Sequence, residues 1–199
     1  MIFLVRHGEA DHHINDLTGG WTDSALTDKG RDQIGKAADY IYRMTKGRLP
    51  RIISSDLRRA SQSAEIIATK YNTDYSVHEF LREKNNGDAA GMKESEAKKI
   101  KLKAILHDPD LRNYPNGETR REFFDRVANG MRAIEHSHSP LVIVSHKGTV
   151  QNILFWWLNL SVDDAVRLSI SFGADAASVS ILNINKWSEH EITVLNHLP

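Results

Sequence analysis

Residues 1–10 read MIFLVRHGEA, and an apolar run of four, Ile2 to Val5, ends there abruptly on Arg6, His7, Gly8 and Glu9. A run this short is a strand candidate, and it meets charge too early to be a signal peptide or a membrane span. In open α/β sheets, ligands bind in the crevice beyond the carboxyl ends of the strands. A strand that delivers an arginine and an imidazole to its carboxyl end therefore reads as one wall of a site.

Two other stretches repeat the pattern. Arg51–Ser54 is a short strand ending in Ser54-Ser55-Asp56, with Arg58 and Arg59 in the first turn of the helix behind it. Leu141–Ser145 carries LVIV, the strongest strand signal in the chain, and ends in Ser145-His146-Lys147-Gly148. Helical patterns fill the intervals. Thr27 is the expected N-cap of a helix through Arg43, with apolar positions at Ile34, Ala37, Ala38 and Ile41. Ser55 or Asp56 is the expected cap of the next, whose apolar face is Leu57, Ala60, Ala64 and Ile67 or Ala68.

Tyr75–Val77 is a third strand, and the charged stretch from Lys93 to His107 has a helical period with little amphipathicity. The turn-rich NYPNGET leads to a helix from about Thr119 to His136, and Gly148 opens another to about Leu158. Val179–Ile184 and Ile192–Leu195 are late strands joined by a polar turn. This alternation predicts an α/β fold with a mostly parallel central sheet, made mixed by the closing hairpin. With no repeat or linker, residues 1–199 read as a single domain.

The totals narrow the function. Lys plus Arg and Asp plus Glu each number 26, which argues against nucleic-acid or anionic-membrane binding through bulk charge. The absence of cysteine removes disulfides, thiolate metal sites and cysteine catalysis. A cytoplasmic location is the default expectation.

Converging, the three strand ends would gather two histidines and at least two arginines. Arginine forks suit phosphate oxygens, and helix N-termini add N–H donors. Gly8 and Gly148 would let backbone approach a bound anion. A neutral imidazole here can attack phosphorus, and a second, protonated by the anion it holds, can stabilise the transferring phosphoryl group. The arginines supply the positive charge, so no metal is required. Arg58 and Arg59 occupy a helix end that repels cations unless an anion compensates. His7, His12 and His13 share no face of a regular element, so a metal site is not expected; HSHS at 136–139 reads as a polar helix end.

These residues resemble the histidine phosphatase superfamily, also called phosphoglycerate-mutase-like proteins. The family's Arg-His-Gly-Glu stands as Arg6-His7-Gly8-Glu9, and its Ser-Asp-Leu-x-Arg-Ala helix start as Ser55-Asp56-Leu57-Arg58-Arg59-Ala60. Its Leu-x-Glu loop stands as Leu81-Arg82-Glu83 with Gly87 and Gly91 beyond. Its Pro-x-Gly-Glu-Ser/Thr turn is Pro115 to Thr119, with Arg126 seven residues on, and its Val-Ser-His is Val144-Ser145-His146.

The resemblance implies a three-layer αβα sandwich and a metal-independent phosphomonoesterase without cofactor. It makes His7 the nucleophile, Arg6, Arg59 and His146 the phosphoryl holders, and Glu83 the general acid and then base. Two positions depart from the pattern: His13 replaces an asparagine that donates to phosphate in many relatives, and Lys147 replaces a common glycine.

The segment around GGWTDSALTDKG is similar to the mutases of the superfamily, yet the charged cover between Gly91 and Pro115 is only about one helix long. A short cover admits water, so hydrolysis is expected over transfer. The alternatives are a phosphoglycerate mutase and a non-catalytic phosphoester-binding module. The expected partner is a small phosphorylated metabolite or a phosphoprotein, with no nucleic acid and no membrane. A homodimer is left open, and Trp156 and Trp157 are read as core or dimer contacts.

Overall fold

Alternate residues of the first strand face opposite sides of a sheet, and each side meets its own layer of helices. The computed structural model describes residues 1–102, 108–134 and 140–199. In chain order the elements are β1 (Ile2–Arg6), α1 (Asp11–Ile14), α2 (Asp28–Thr45), β2 (Arg51–Ser54), α3 (Arg58–Tyr71), β3 (Ser76–Val77), α4 (Glu94–Ile100), α5 (Arg120–Ala133), β4 (Leu141–Ser145), α6 (Lys147–Trp157), α7 (Val162–Arg167), β5 (Val179–Ile184) and β6 (His190–His197).

Phe3 and Val5 pack with Ile52, Val142 and Val144 against Ile34, Ile41, Ala64 and Ile67 of α2 and α3. Ile2 and Leu4 pack with Ile53 and Ile143 against Val127 and Met131 of α5 and Ile153 and Leu154 of α6. The result is the expected α/β sandwich of three layers.

The sheet order is β3-β2-β4-β1-β5-β6. β3, β2, β4 and β1 run parallel, whereas β5 is antiparallel to β1 and β6 to β5, which makes the sheet mixed. The register of the parallel strands aligns their reactive ends. Arg6 lies opposite Ser145, and Ser54 opposite Val144, so the three polar strand ends finish level and side by side.

Local chemistry explains most boundaries. The Thr27 hydroxyl accepts from the Gly30 N–H at the start of α2, and Thr119 and Glu122 form a reciprocal capping box at the start of α5. The expected cap of α3 by Ser55 or Asp56 is corrected: Leu57 occupies the cap position without a side-chain bond. The Asp56 carboxylate is drawn away into an ion pair with Arg82, and Ser55 Oγ accepts from the Leu57 N–H one residue too early. Helices α1 and α7 go beyond the sequence expectation, because four and six residues are too few to establish a period.

Within the charged stretch from Lys93, α4 ends at Ile100; positions 103–107 lie outside the described residues, as does HSHS at 136–139. Trp157 is buried and stacks on His190, which makes it a core residue rather than a dimer contact.

Where β1 runs out, the chain passes directly across the first turn of α2. A Cβ on Gly8 would sit 2.8 Å from the carbonyl carbon of Gly30, and one on Gly30 would sit 2.9 Å from backbone atoms of Glu9. Gly8 makes room for the Gly30 backbone and Gly30 for that of Glu9, so the bare Cα of Gly8 serves this crossing and not an approaching anion. Gly30→Ala is therefore expected to lower the denaturation midpoint, by an overpacking cost of about 1–3 kcal/mol. Gly35→Ala, in the same helix with open space around it, should be neutral or stabilising by about 0.5–1 kcal/mol. Equal effects at the two positions would refute this reading.

Candidate active site

His7 follows β1 directly and is buried at 3% exposure. Its Nδ1 donates to the Gly8 carbonyl at 2.7 Å, since a carbonyl can only accept. That bond fixes the tautomer, leaving the Nε2 lone pair free to accept from Arg59 Nε at 3.2 Å. Burial first, then the charges of His146, Arg59 and Arg6, hold the imidazole well below its ordinary pKa, and so neutral. A buried neutral imidazole with its lone pair aimed at a guanidinium is poised to act as a nucleophile toward an anion held there.

Arg59, at 1% exposure, forms no ion pair among the described residues. Its Nη1 and Nη2 donate to the carbonyls of Thr22 and Gly20 at 2.5 and 2.7 Å. Burial lowers its pKa to about 10. Arg58 is exposed, and its backbone N–H is engaged by Asp23. Of the two arginines, Arg59 is the one bonded to His7.

Arg6 donates through Nη1 to the Ala174 carbonyl at 2.8 Å, and its Nη2 lies 3.1 Å from His13 Nε2. His13 Nδ1 already accepts from the Ala10 N–H at 3.1 Å. A neutral imidazole that accepts at Nδ1 carries its hydrogen on Nε2, so two N–H groups, from Arg6 and His13, converge. An oxyanion between them would satisfy both.

The His13 ring stacks on His7 with centroids 5.7 Å apart, and His12 lies 4.0 Å from His13. Partial burial, followed by the Arg6 charge, takes His13 to about 4; burial and then His13 take His12 to about 3. Among the described residues, no group of three histidine or acidic side chains is placed to hold a metal ion.

His146, fully buried, caps α6 with its ring centroid 5.1 Å from that of His7. Neither of its ring nitrogens has a hydrogen-bond partner among the described residues. Burial and then Arg59 and Arg6 keep it neutral in the free pocket. Such orphaned nitrogens mark a place where a ligand would bind. Lys147 beside it is exposed.

Glu83 lies on the segment between β3 and α4. Its Oε2 accepts from the Gly148 N–H at the start of α6 at 2.9 Å, and its Oε1 from the Lys84 N–H at 2.8 Å. A Cβ at position 148 would collide with the Glu83 carboxylate and stand 2.9 Å from Phe123. Gly148 is bare to admit the carboxylate, which again revises the expectation of room for an anion.

The Glu83 loop is held through its backbone. Trp21 Nε1 donates to the Glu83 carbonyl at 2.8 Å. Arg126, paired with Glu118, donates to the carbonyls of Phe80, Arg82 and Glu83.

The structure brings Arg6, His7, Arg59, His146, His13 and Glu83 around one space. Sequence reasoning missed the contribution of His12, whose Nδ1 lies 2.7 Å from Ser24 Oγ and whose ring backs His13. It also missed the carbonyls of Gly20, Thr22 and Ala174. Main-chain acceptors leave no trace in residue identity, and only the His12-His13 doublet was legible as a signal.

A level row of strand ends, a tautomer-fixed nucleophilic imidazole, buried arginines and a carboxyl group facing them define a phosphoryl-transfer site of the phosphohistidine type. The chain belongs to the histidine phosphatase superfamily (branch 1), whose model matches residues 2–196 and whose members work through a phosphohistidine.

Among its relatives, phosphoglycerate mutase-like protein 4 of Arabidopsis thaliana is 30% identical over 159 residues, covering 76% of this chain and 68% of the other. A broad-specificity phosphatase of Saccharomyces cerevisiae is 28% identical over 164 residues, covering 78% and 69%. A solved mycobacterial glucosyl-3-phosphoglycerate phosphatase in complex with VO3 aligns with a TM-score of 0.80 at 25% identity, covering 98% of each chain.

The depressed imidazoles give the free protein an acid weakness. Below about pH 6.5 the unfolded chain protonates these histidines while the folded pocket keeps them neutral. The unfolded state then binds more protons, and stability falls as the pH falls. Thermal unfolding at about pH 7 and about pH 5 should show this loss, and millimolar sulfate should reverse part of it where chloride of equal ionic strength does not. No sulfate-specific recovery would count against the pocket as an anion site.

Proposed function

We propose that His7, Arg6, Arg59, His146 and Glu83 carry out phosphomonoester hydrolysis through a phosphohistidine. The chain is a phosphoric monoester hydrolase of its superfamily, and the proposal concerns which atoms do the work. Arg6, Arg59 and His146 hold the phosphoryl oxygens, with His13 completing the binding set. His7 Nε2 attacks phosphorus, forming the N–P bond as the bond to the leaving oxygen breaks. Glu83 gives its proton to that oxygen and, as a carboxylate, then takes one from water. The water oxygen attacks phosphorus, the N–P bond breaks, and inorganic phosphate leaves with Glu83 protonated again.

The carrying observation is the His7 ring itself, donating through Nδ1 to Gly8 and presenting Nε2 to Arg59. The group on the leaving side is proposed as a small phosphorylated metabolite rather than a phosphoprotein. One relative is named for glucosyl-3-phosphoglycerate, and another for broad specificity. Transfer to water rather than to a second substrate is favoured by the cover, where α4 has seven residues and His13 remains exposed at the mouth. A cytoplasmic location and the absence of a nucleic-acid partner belong to the same proposal, and rest on composition. No described helix is long and apolar enough to cross a membrane.

Two measurements test the assignments. Hydrolysis of an aryl phosphate should persist in chelator and fall by about a thousandfold or more in His7→Ala. Undiminished turnover by that variant would end the phosphohistidine assignment. Glu83→Gln should slow alkyl phosphates by about 10²- to 10⁴-fold and aryl phosphates much less, because a phenolate leaves without a proton. Equal losses on both would remove Glu83 from the acid role. Interconversion of phosphoglycerates with a bisphosphate primer, in place of phosphate release, would favour the mutase alternative.

A further inference from the structure

Beside the phosphoryl pocket lies a second place where positive charge is left uncompensated. Arg120 is the first residue of α5, a helix position whose partial positive charge disfavours a cation. It is half-buried, and burial is the cause that lowers its pKa. Lys84, directly after Glu83 and also half-buried, is lowered by burial and by the nearby Arg120 charge, although neighbouring carboxylates oppose this. Among the described residues, neither head group makes a hydrogen bond or an ion pair. The carboxylates nearest them are committed elsewhere, Glu118 to Arg126 and Glu122 to Arg112.

Arg120 lines a cleft of about 330 Å³ between α6 and the end of α7, together with Gln151, Ala165, Val166, Ser169 and Ile170. Among the described residues, no acidic side chain lines it. Gln151 uses Oε1 to accept from Ser171, which leaves its amide N–H₂ as a donor. The cleft is tied to the phosphoryl site by chain: Ser171 contacts Gln151 at the cleft, and Ala174 receives Arg6 at the site. Three residues of extended backbone span at most roughly 10 Å. Glu83 is also linked to the cleft through α6: its carboxylate accepts from the Gly148 N–H, and Gln151 of the cleft lies about one turn further along that helix. Lys84 follows Glu83 in the chain, and its ammonium feels the charges of both Glu83 and Arg120.

From this placement we infer that Arg120, supported by Lys84 and Gln151, binds a second anionic group, carboxylate or phosphate, at the far end of the substrate's alcohol portion. The inference rests on the phosphoryl site being where the proposed function puts it. It makes the preferred substrate a small phosphomonoester with a charge at each end, and Arg120 a specificity-determining residue outside the reacting centre.

Matched ester pairs differing by one anionic group provide the test. The carboxylate pair is 6-phosphogluconate and glucitol 6-phosphate; the phosphate pair is fructose 1,6-bisphosphate and fructose 6-phosphate. In Arg120→Gln, kcat/KM for the member with two anionic groups of at least one pair should fall by about tenfold or more, the size of one lost charge-assisted hydrogen bond. The partners with a single anionic group and an aryl phosphate should keep the intact protein's rates, and Arg120→Lys should recover part of the loss.

A loss confined to the first pair identifies a carboxylate, and one confined to the second a phosphate. A loss shared by both members of each pair, as a folding defect would give, or no loss at all, overturns the inference. Should the intact protein turn over no ester, the hydrolase assignment fails separately. Calorimetric binding of the same pairs to intact and Arg120→Gln protein then decides the subsite by the same criterion.

Discussion

An arginine buried to 1% exposure, bonded to carbonyls and to no carboxylate among the described residues, is the constraint on which the rest of the structure depends. Removing a guanidinium from water is costly, and its remaining protection comes from oriented carbonyl dipoles. Those carbonyls belong to Gly20 and Thr22, so residues 18–24 must fold back over α3. Once there, that segment docks on the acid loop: Trp21 reaches the Glu83 carbonyl, the Thr18 N–H bonds the Met92 carbonyl, and the Gly91 N–H bonds Thr22. One unneutralised charge thus organises two loops that are distant in sequence.

The same constraint shapes the imidazoles. His7 and His146 sit at the ends of neighbouring parallel strands, where the register of β1 against β4 brings them within one ring's reach of each other. Buried among cations, both stay neutral, which suits the first as a nucleophile and leaves the second able to gain a proton when a dianion arrives. A free pocket of this kind stores unfavourable electrostatics that a phosphoryl group relieves. Affinity and acid sensitivity then share one cause.

Much of this was legible in the sequence, for a physical reason. Apolar strands that stop on reactive residues show both the sheet and the site, because an α/β sheet collects its strand ends in one crevice. Arg6, His7, Arg59 and His146 were readable on those terms, and Glu83 only through the family pattern, since it lies on a loop whose path no periodicity records. What could not be read depended on long-range competition or on main chain. Asp56 was lost as a helix cap to Arg82. Gly8 and Gly148 turned out to admit protein neighbours, Gly30 and Glu83, whose approach only three dimensions display. The Arg120 cleft was invisible because its walls come from α5, α6 and α7, and the last was too short to be foreseen.

Arg126 grips the loop that bears Glu83 by main-chain carbonyls, those of Phe80, Arg82 and Glu83. These bonds do not depend on which side chains stand at 80, 82 and 83. Lys84, whose side chain makes no hydrogen bond or ion pair among the described residues, can be exchanged without removing any of the bonds that hold the Glu83 carboxylate. A clasp on main chain separates inheritance of the reaction from inheritance of the substrate, and lineages can diversify one while keeping the other.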